Sequence, residues 1–541
     1  MRKNLEIPSG KRTPLYRFFE MLPGLISYTA IILLFVLSWI SPILGACYLF
    51  IIIAATLVKA VSVAFRTIQG YEVVKKAGKV DWRGRMKDLE DPHAAFERLR
   101  GKSSKSYNFN IHVENLRMLN AMQSEYPKPE KIYHAVIMTA YNEGPEILEP
   151  SIKAIQNSTF PNERIIFVMA YEERGGEEIE KTVNMLAEKF KGVFKEFMLV
   201  KHPKDMAGEV IGKGPNLTYA GSFLTDKVQK LKIPIENVIV TSLDSDNRMA
   251  PKYLDAVAYE FVVHPNRQRL SYQPVSLFMN NIWDAPAPTR VVAVSNSFFN
   301  IISTMRPHAI RNFASHSQPL QALKAMDYWS KRTIVEDGHQ FWRSLFFFDG
   351  DYSVLPIRLP IYQDAVMDET LWKTMKAQFV QVRRWNYGAS DVAYVGVRLF
   401  RSRSKRGMPF FPLLAKFWRL LDGHVTLAIM APMVAFGGWI PLIMNNTSRD
   451  MVVYNLPSVV SMVQTIASIG LLITVLVSLK MLPRRPERYR KGRTILMVLQ
   501  WILMPVTSIL YQSLSAFYAQ TRLLLGKYME KFDVTKKVIK R

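Results

Sequence analysis

The chain has 541 residues, and its mean hydropathy of +0.02 is too high for an ordinary soluble enzyme and too low for a protein that lies wholly in lipid. A large soluble domain combined with several membrane spans fits this balance. The formal net charge is +26, from 71 Lys and Arg against 45 Asp and Glu. Because the basic clusters flank the apolar runs, they indicate contact with anionic membrane lipids and argue against nucleic-acid binding.

Residues 1–70 are predicted to form a transmembrane hairpin. Two apolar runs, residues 22–40 and 43–65, are each long enough to cross about 30 Å of hydrocarbon as a helix. Basic residues stand before the first run and after the second, which places both ends of the hairpin in the cytosol. The second run holds the only cysteine, Cys47, so an intramolecular disulfide is excluded.

Residues 71–405 are then predicted to form one cytosolic domain. The next segment, residues 406–424, mixes aromatic and aliphatic side chains with Lys416 and Arg419. This mixture is typical of an amphipathic helix that lies in the membrane interface.

Residues 425–515 are expected to hold the C-terminal transmembrane segments. Spans are predicted at residues 425–444 and 459–481, and a further apolar run starts near residue 494. If that run crossed the membrane once, the basic tail at 516–541 would lie outside, against the positive-inside rule. A re-entrant turn around Pro505, or a shallow hairpin, would keep this tail in the cytosol.

Within the cytosolic domain, short apolar strands alternate with helical patterns. The strands are predicted at residues 135–140, 164–169, 197–200 and 237–241. This alternation predicts an α/β fold with a mostly parallel sheet and helices on both faces. Ligands of such sheets bind beyond the carboxyl ends of the strands. Polar residues stand at two of those ends, Tyr141-Asn142-Glu143 and Glu172-Glu173.

Two aspartates, Asp244 and Asp246, follow the fourth predicted strand. Most such pairs belong to turns or solvated faces, but the position after a buried strand favours a functional pair. Mg²⁺ and Mn²⁺ prefer oxygen ligands, usually a carboxylate or two together with substrate phosphates. The pair therefore predicts a Mg²⁺ or Mn²⁺ site, whereas no His/Cys cluster suggests zinc.

Two later clusters complete the pattern, namely Glu336-Asp337 and the segment from Gln381 to Trp385. Each has an ordinary structural explanation. Acidic residues stabilise helix N-termini, and a basic amphipathic patch suits a membrane surface. Four clusters in this order within one domain nevertheless favour a shared functional site.

These clusters resemble the motifs of the membrane-integrated family 2 glycosyltransferases, the group that contains cellulose, chitin and hyaluronan synthases. The resemblance covers about residues 134–385 and extends more loosely into the flanking spans. It implies a GT-A catalytic domain inserted between transmembrane helices, a UDP-sugar donor and inversion at the anomeric carbon. It also implies an integral membrane protein, in a bacterial or archaeal plasma membrane, with its catalytic domain in the cytosol.

The resemblance assigns a role to each cluster. It implies a metal site at Asp244 and Asp246, while Asp337 is the implied catalytic base, with Glu336 orienting or tuning it. The contact to the uracil falls on Glu172 or Glu173, where the family usually has an aspartate. The implied nucleotide-sugar contacts are Thr139, Tyr141, Asn142, Glu143, Glu172, Lys213, Asp244 and Arg384. The implied acceptor contacts are Gln381, Arg384 and Trp385, the Gln-x-x-Arg-Trp motif of processive members.

The end of the chain resembles the gating loop of bacterial cellulose synthases, a Phe-x-Val-Thr-x-Lys segment. The matching residues are Phe532, Val534, Thr535 and Lys537. The resemblance implies that this loop touches the nucleotide site. An interfacial helix at residues 519–528 is predicted to precede it.

Three kinds of function stay open at this point. The first is processive transfer to a growing polysaccharide or glycan, with export across the membrane. The second is transfer of one sugar to a membrane lipid or lipid-linked acceptor, which the complete Gln-x-x-Arg-Trp motif disfavours. The third is a transporter or receptor with a binding domain, which the scarcity of ionisable residues in the predicted spans disfavours.

Overall fold

An eight-stranded mixed sheet lies at the centre of the computed structural model, which describes residues 5–122, 126–401, 406–445 and 451–533. The strands are β1 (Tyr133–Ala140), β2 (Ile165–Glu172), β3 (Glu196–His202), β4 (Val238–Asp244), β5 (Arg248–Met249), β6 (Leu270–Leu277), β7 (His316–Pro319) and β8 (Ser353–Tyr362). Their order across the sheet is β3-β2-β1-β4-β7-β6-β8-β5. The first four strands in this order are parallel, as predicted. β7 runs antiparallel to both its neighbours, which makes the whole sheet mixed.

Helices surround the sheet and extend from it at both ends of the sequence. The helices up to β4 are α1 (Pro14–Ile40), α2 (Pro42–Lys79), α3 (Trp82–Asp88), α4 (Pro92–Leu99), α5 (Phe109–Met122), α6 (Pro145–Gln156), α7 (Gly176–Lys189) and α8 (Lys213–Lys230). Those after it are α9 (Tyr253–Val263), α10 (Ala287–Thr304), α11 (Leu320–Ala325), α12 (Glu336–Phe347), α13 (Leu371–Asn386), α14 (Asp391–Leu399), α15 (Phe410–Met444), α16 (Met451–Met481) and α17 (Gly492–Leu524).

The sheet is buried on both faces, because apolar side chains of β1 and β2 alternate between two hydrophobic clusters. One face packs against α6, α7 and α9, and the other packs against α8 and α11. The strand register also aligns the strand ends, since Thr139 on β1 lies opposite Asp244 on β4. The polar residues that follow β1, β2 and β4 therefore meet at one edge of the sheet.

Among the described residues, four helices are long and apolar enough to cross a membrane, namely α1, α2, α15 and α17. The span predicted at residues 459–481 falls within α16, several of whose side chains are outside the described set. The prediction of apolar helices on both sides of the sheet domain in the sequence therefore agrees with the structure. α2 has 38 residues, so it is about 57 Å long at 1.5 Å per residue. Its last turns leave the predicted hairpin and contact the sheet domain, where Gly70 packs against Ile301.

No break separates the interfacial segment predicted at residues 406–424 from the span predicted at 425–444, because α15 continues from Phe410 to Met444 with only a 3₁₀ turn at Gly437–Trp439. Of the two cations that suggested an interface, Lys416 is half-buried and Arg419 is exposed, and each has a contact within the protein. Arg419 donates a hydrogen bond to the carbonyl of His308 at 3.4 Å. The Lys416 ammonium lies 5.8 Å from the ring centroid of Phe341.

The sequence left open a re-entrant turn or a shallow hairpin around Pro505, and neither occurs in the described residues. α17 is a single helix of 33 residues that contains a 3₁₀ segment, Gln500–Leu503, and a π-helical segment, Ser508–Ser513. Near one end, Arg493 donates to the carbonyl of Trp283 at 2.9 Å. Towards the other, Ser515 Oγ accepts a hydrogen bond from Asn386 at 2.7 Å. Both ends of α17 thus contact the sheet domain, so residues 525–533 reach that domain without a hairpin.

We predict from these contacts that the two ends of α17 lie on the same side of the membrane as the sheet. Cysteines at the exposed positions Glu487 and Lys527, in a Cys47→Ser background, should both react with an impermeant maleimide applied from that side. An exposed Lys102→Cys provides the reference for the sheet side, and Ser41→Cys, at the turn between α1 and α2, provides the reference for the opposite side. Labelling of Lys527→Cys together with Ser41→Cys would contradict the prediction.

Candidate active site

A cavity of about 600 Å³ lies beyond the carboxyl ends of β1, β2 and β4, and it collects nearly all the residues that the motifs single out. Those that line it are Thr139, Tyr141, Glu143, Glu172, Lys213, Asp244, Asp246, Glu336, Asp337, Gln381, Arg384, Trp385 and Phe532. Asn142 is absent from the lining, and its side chain is exposed. Val534, Thr535 and Lys537 fall outside the described residues.

Glu143 holds the loops of the cavity together. Its Oε2 accepts the backbone N–H groups of Tyr141, at 2.7 Å, and of Asn142, at 3.2 Å. Its Oε1 accepts the hydroxyl of Ser245 at 3.0 Å. The carboxylate therefore ties the loop after β1 to the turn that carries Asp244 and Asp246. Glu143 therefore positions these two loops, and it also lines the cavity in which the motif predicts a contact with the nucleotide.

Lys213 begins α8 and joins two parts of the cavity. Its ammonium lies 2.6 Å from Asp244 Oδ1 and 3.7 Å from Glu336 Oε1, and the residue is 9% exposed. Burial alone would lower the pKa of Lys213, but the two carboxylates outweigh burial and raise that pKa. The next residue must be glycine, because a Cβ at Gly214 would lie 2.3 Å from the carbonyl oxygen of Ser330.

The two aspartates of the predicted metal site differ in environment. Asp244 is paired with Lys213, whereas Asp246 is buried and its Oδ2 accepts the backbone N–H of Asp364 at 3.2 Å. The described ranges contain no group of three or more His, Cys, Asp or Glu side chains that could hold a metal ion. One or two carboxylates fit Mg²⁺ or Mn²⁺ when phosphate oxygens of a substrate supply further ligands. The residues present therefore fit a cation that is bound together with a substrate.

Glu336 and Asp337 form the first turn of α12, which places both carboxyls at a helix N-terminus. Asp337 Oδ1 accepts the backbone N–H of Gly338 at 2.7 Å, and its Oδ2 accepts that of Ala314 at 2.5 Å. Burial raises the pKa of Glu336 to about 7, although the nearby Lys213 ammonium opposes this shift. Burial also raises the pKa of Asp337. The site thus holds two carboxyls with a raised proton affinity.

Arg384 and Trp385, near the C-terminal end of α13, face the cavity from the side opposite the sheet. The Arg384 guanidinium lies 3.6 Å from the ring centroid of Phe532, and its Nη1 has no hydrogen-bond partner among the described residues. Burial lowers the pKa of this guanidinium, while Glu336 and Asp244 oppose the shift. Trp385 packs against Phe278 with ring centroids 6.0 Å apart, and the rest of its surface lines the cavity.

The segment after α17 reaches the cavity, as the predicted gating-loop resemblance implies for Phe532. The backbone N–H of Phe532 donates a hydrogen bond to the carbonyl of Ile211 at 2.8 Å. The backbone N–H of Ile211 in turn donates to the carbonyl of Glu530 at 3.2 Å. Asp533 forms an ion pair with Arg383. Because Ile211 lies two residues before Lys213, this short pairing places Phe532 beside the loop that leads into α8.

One half of the cavity has no counterpart among the motifs. Its polar lining residues are Asn296, Asn300, Arg311, His424 and Gln512. They come from α10, from the segment before β7, and from the apolar helices α15 and α17. The signals in the sequence are polar side chains within mostly apolar helices, such as His424 on α15 and Gln512 on α17. This half connects the sheet edge with the helices of spanning length.

Comparison with known proteins gives distant likenesses only. No family model and no curated protein matches the chain. Among solved structures, a mannosyltransferase from Pyrobaculum calidifontis in complex with GDP-Man and Mn²⁺ is 14% identical, with a TM-score of 0.43 over 81% of this chain and 100% of the other. GalNAc-T7 with UDP, GalNAc and Mn²⁺ is 10% identical, with a TM-score of 0.32 over 54% and 58%. S. aureus TarS is 12% identical, with a TM-score of 0.27 over 60% and 54%.

At identities of 10–14% and TM-scores below 0.5, these likenesses carry no argument about what this chain binds. The chemistry must be argued from its own cavity.

The raised pKa of Glu336, from 4.5 to about 7, predicts a pH-dependent stability. A carboxyl that binds its proton more tightly in the folded state loses stability as pH rises from about 4.5 to about 7. Glu336→Gln removes this loss, so its melting temperature should rise relative to the wild type between pH 5 and pH 8. Melting curves in detergent at both pH values measure the difference, with the exposed Glu97→Gln as control. A difference between wild type and Glu336→Gln that does not change with pH would refute the assignment.

Proposed function

We propose that the chain is a membrane-embedded, inverting glycosyltransferase whose GT-A catalytic domain transfers a sugar from a UDP-sugar to a growing glycan. The observation that carries the proposal is the ion pair between Lys213 and Asp244 within the cavity that also holds Asp337. Such a site combines a cation for a diphosphate, carboxylates for a divalent metal ion and a separate carboxyl for proton transfer. The UDP-sugar and the inverting outcome rest on the resemblance of the motifs.

The part of the site around Lys213, Arg384, Asp244 and Asp246 is suited to stabilise the negative charge of the sugar donor's diphosphate. When the bond between the sugar C1 and the diphosphate breaks, charge grows on the leaving diphosphate, and cations placed there stabilise the transition state. Lys213 and Arg384 supply two such cations. The Nη1 group of Arg384 has no hydrogen-bond partner among the described residues, so it can donate to a phosphate oxygen. A Mg²⁺ or Mn²⁺ ion held by Asp246 and Asp244 would add further neutralising charge. A bound diphosphate would also compete with Asp244 for the ammonium of Lys213.

The base is Asp337. An acceptor hydroxyl attacks C1 as the diphosphate leaves from the opposite face, so the new C1–O bond forms with inversion. The hydroxyl proton passes to Asp337, whose raised pKa strengthens it as a proton acceptor. Each Asp337 oxygen accepts one backbone hydrogen bond, so the carboxylate is held in place and keeps a lone pair for that proton. Glu336 contributes by holding Lys213 near the diphosphate.

The acceptor half begins at Trp385. A flat apolar ring suits the face of a sugar, and Gln381 beside it offers an amide for sugar hydroxyls. From there the cavity continues past Asn296 and Asn300 on α10. Amide side chains hydrogen-bond hydroxyl groups as donors and as acceptors. A chain of sugar units would therefore find partners along this half, which favours a processive enzyme.

A second candidate acceptor is a lipid-linked one. The observation in its favour is that Leu427 and His424 on α15 and Gln512 on α17 also line the cavity. A lipid chain could lie against these apolar helices while its head group reaches the sheet edge. The catalytic step would be the same, and only the acceptor would differ.

Asp337→Asn should leave donor binding nearly intact and reduce transfer by roughly 10²–10⁴-fold, the loss expected for a general base. An asparagine keeps the size of the residue and one of its two backbone hydrogen bonds, since its amide nitrogen cannot accept the other N–H, and it cannot take the proton. Turnover and UDP binding should be measured on the same preparation. The exposed Asp327→Asn serves as the matched control and should behave as the wild type. Near-normal turnover of Asp337→Asn would remove this residue from the mechanism.

Purified protein should consume one UDP-sugar in the presence of Mg²⁺ or Mn²⁺, and a chelator should abolish that consumption. The reason is that the two carboxylates require a cation to hold the diphosphate without repulsion. A screen of nucleotide-sugars, repeated with chelator and with Asp246→Ala, tests the donor and the metal separately. Full consumption in chelator would refute the metal, and consumption of a sugar on another nucleotide alone would refute the uridine donor.

A further inference from the structure

A second and larger cavity, of about 820 Å³, lies on the other side of the segment that follows α17. Its walls come from the N-terminal segment before α1, the first turns of α1, the end of α13 and the last turns of α17. The segment of residues 528–533 closes it towards the active-site cavity, because Phe532 lines the first cavity while Met529, Glu530 and Asp533 line the second. None of the sequence motifs predicts this second cavity.

The second cavity contains three arginines whose buried nitrogen atoms lack hydrogen-bond partners among the described residues. These atoms are Arg12 Nη1, Arg383 Nε and Arg522 Nε. The hydroxyl of Ser390 is likewise buried, without a partner, and it belongs to the same lining. Buried donors without acceptors are rare in folded proteins, and each one calls for an explanation such as a bound ligand.

Tyrosine rings hold these arginines in place. The Arg12 guanidinium lies 5.3 Å from the ring centroid of Tyr16 and 4.7 Å from that of Tyr528. Arg383 lies 4.9 Å from the ring centroid of Tyr518, and Arg522 lies 5.9 Å from the same centroid. Packing against aromatic faces orients a guanidinium without using its N–H groups. The donors therefore stay available to a ligand.

Four carboxylates line this cavity, namely Glu20, Glu209, Glu530 and Asp533. Glu20 accepts from Arg17 at 2.5 Å and from the Tyr528 hydroxyl at 2.9 Å. Arg12 Nε lies 3.4 Å from the same carboxylate, so three groups share it. Glu209 lies 3.1 Å from His202 and 3.4 Å from Lys331. Asp533 pairs with Arg383 through Nη2, so Arg383 Nε, Arg12 Nη1 and Arg522 Nε are left without an acceptor among the described residues.

We propose that this second cavity binds a phosphate-bearing molecule, and that its phosphate oxygens accept hydrogen bonds from Arg12, Arg383, Arg522 and Ser390. Arginine is suited to this task because its fork of N–H groups matches the oxygens of a phosphate. The phosphate could come from a soluble compound or from a lipid head group, since the cavity lies where α1 begins and where α17 ends. The proposal does not depend on the sugar-transfer function.

Occupation of this site affects the active-site cavity through the segment that separates them. Neighbouring residues of α13 face opposite sides, with Arg383 in the second cavity and Arg384 in the first. Arg383 holds Asp533, and Arg522 donates to the carbonyl of Tyr528 at 3.0 Å. A phosphate bound to these arginines would fix the segment with Phe532 in the active-site cavity. The two cavities should therefore bind their ligands together and without competition.

The test uses the delipidated full chain in detergent, with inorganic pyrophosphate as the probe in titration calorimetry. Two sites are expected, one in each cavity. Arg12→Gln and Arg522→Gln should each weaken one of them about tenfold or more, the size expected when a hydrogen bond to a charged group is lost. Lys213→Ala should weaken only the other. Ser390→Ala removes an unpartnered hydroxyl without disturbing any contact, so it tests the site even where an arginine variant folds poorly.

The outcomes separate clearly. A single pyrophosphate site that only Lys213→Ala weakens would overturn the proposal, as would equal binding by Ser390→Ala, Arg522→Gln and the wild type. The exposed Arg117→Gln controls for loss of positive charge. Repeating the titration in phosphatidylcholine nanodiscs with and without phosphatidylglycerol then identifies the source. Phosphatidylcholine also carries a phosphate, so loss of the second site in either kind of nanodisc identifies a lipid head group, and retention in both identifies a soluble phosphate compound.

Discussion

The ammonium of Lys213 is the point on which the active-site cavity depends. It lies 2.6 Å from a carboxylate at the end of β4 and 3.7 Å from one at the start of α12, two elements that are far apart in the sequence. Without this cation, Asp244, Glu336 and Asp337 would place three acidic groups in one poorly solvated space, where like charges repel strongly. The pairing lets the carboxyls stay together. A negatively charged substrate can also bind the ammonium of Lys213 in place of these carboxylates.

The surrounding structure positions this lysine by packing and hydrogen bonding. α8 can approach the loop at Ser330 closely because its second residue is Gly214. The register of β1 against β4 brings Thr139 beside Asp244, and Glu143 ties the loop after β1 to the following turn. Backbone contacts of this kind constrain the site more tightly than exposed ion pairs, which contribute little in water.

Much of this site could be predicted from the sequence, because strand ends are a strong signal. Buried strands show as apolar runs, and the polar residues just after β1, β2 and β4 do meet. The sequence could not show which contacts each of these side chains makes. Glu143 stands in a ligand motif, yet both its oxygens accept hydrogen bonds from its own chain. The polar half contributed by α10, α15 and α17 comes from separate elements whose meeting depends on long-range packing. The continuity of α15 is not evident from the sequence, because Lys416 and Arg419 interrupt the apolar pattern before residue 425, although both have contacts within the protein.

The placement of Phe532 has a consequence for how the protein is made. The wall of the active-site cavity includes a side chain from beyond α17, whereas the other motif residues all precede residue 386. A ribosome therefore completes the sheet, α12 and α13 well before it makes the segment that closes the cavity. During that interval the cavity stays open on one side, and Arg383 and Arg384 lack the contacts that Asp533 and Phe532 later provide. Synthesis of α15 to α17 thus precedes completion of the site, so a partly synthesised chain cannot hold the finished active-site cavity.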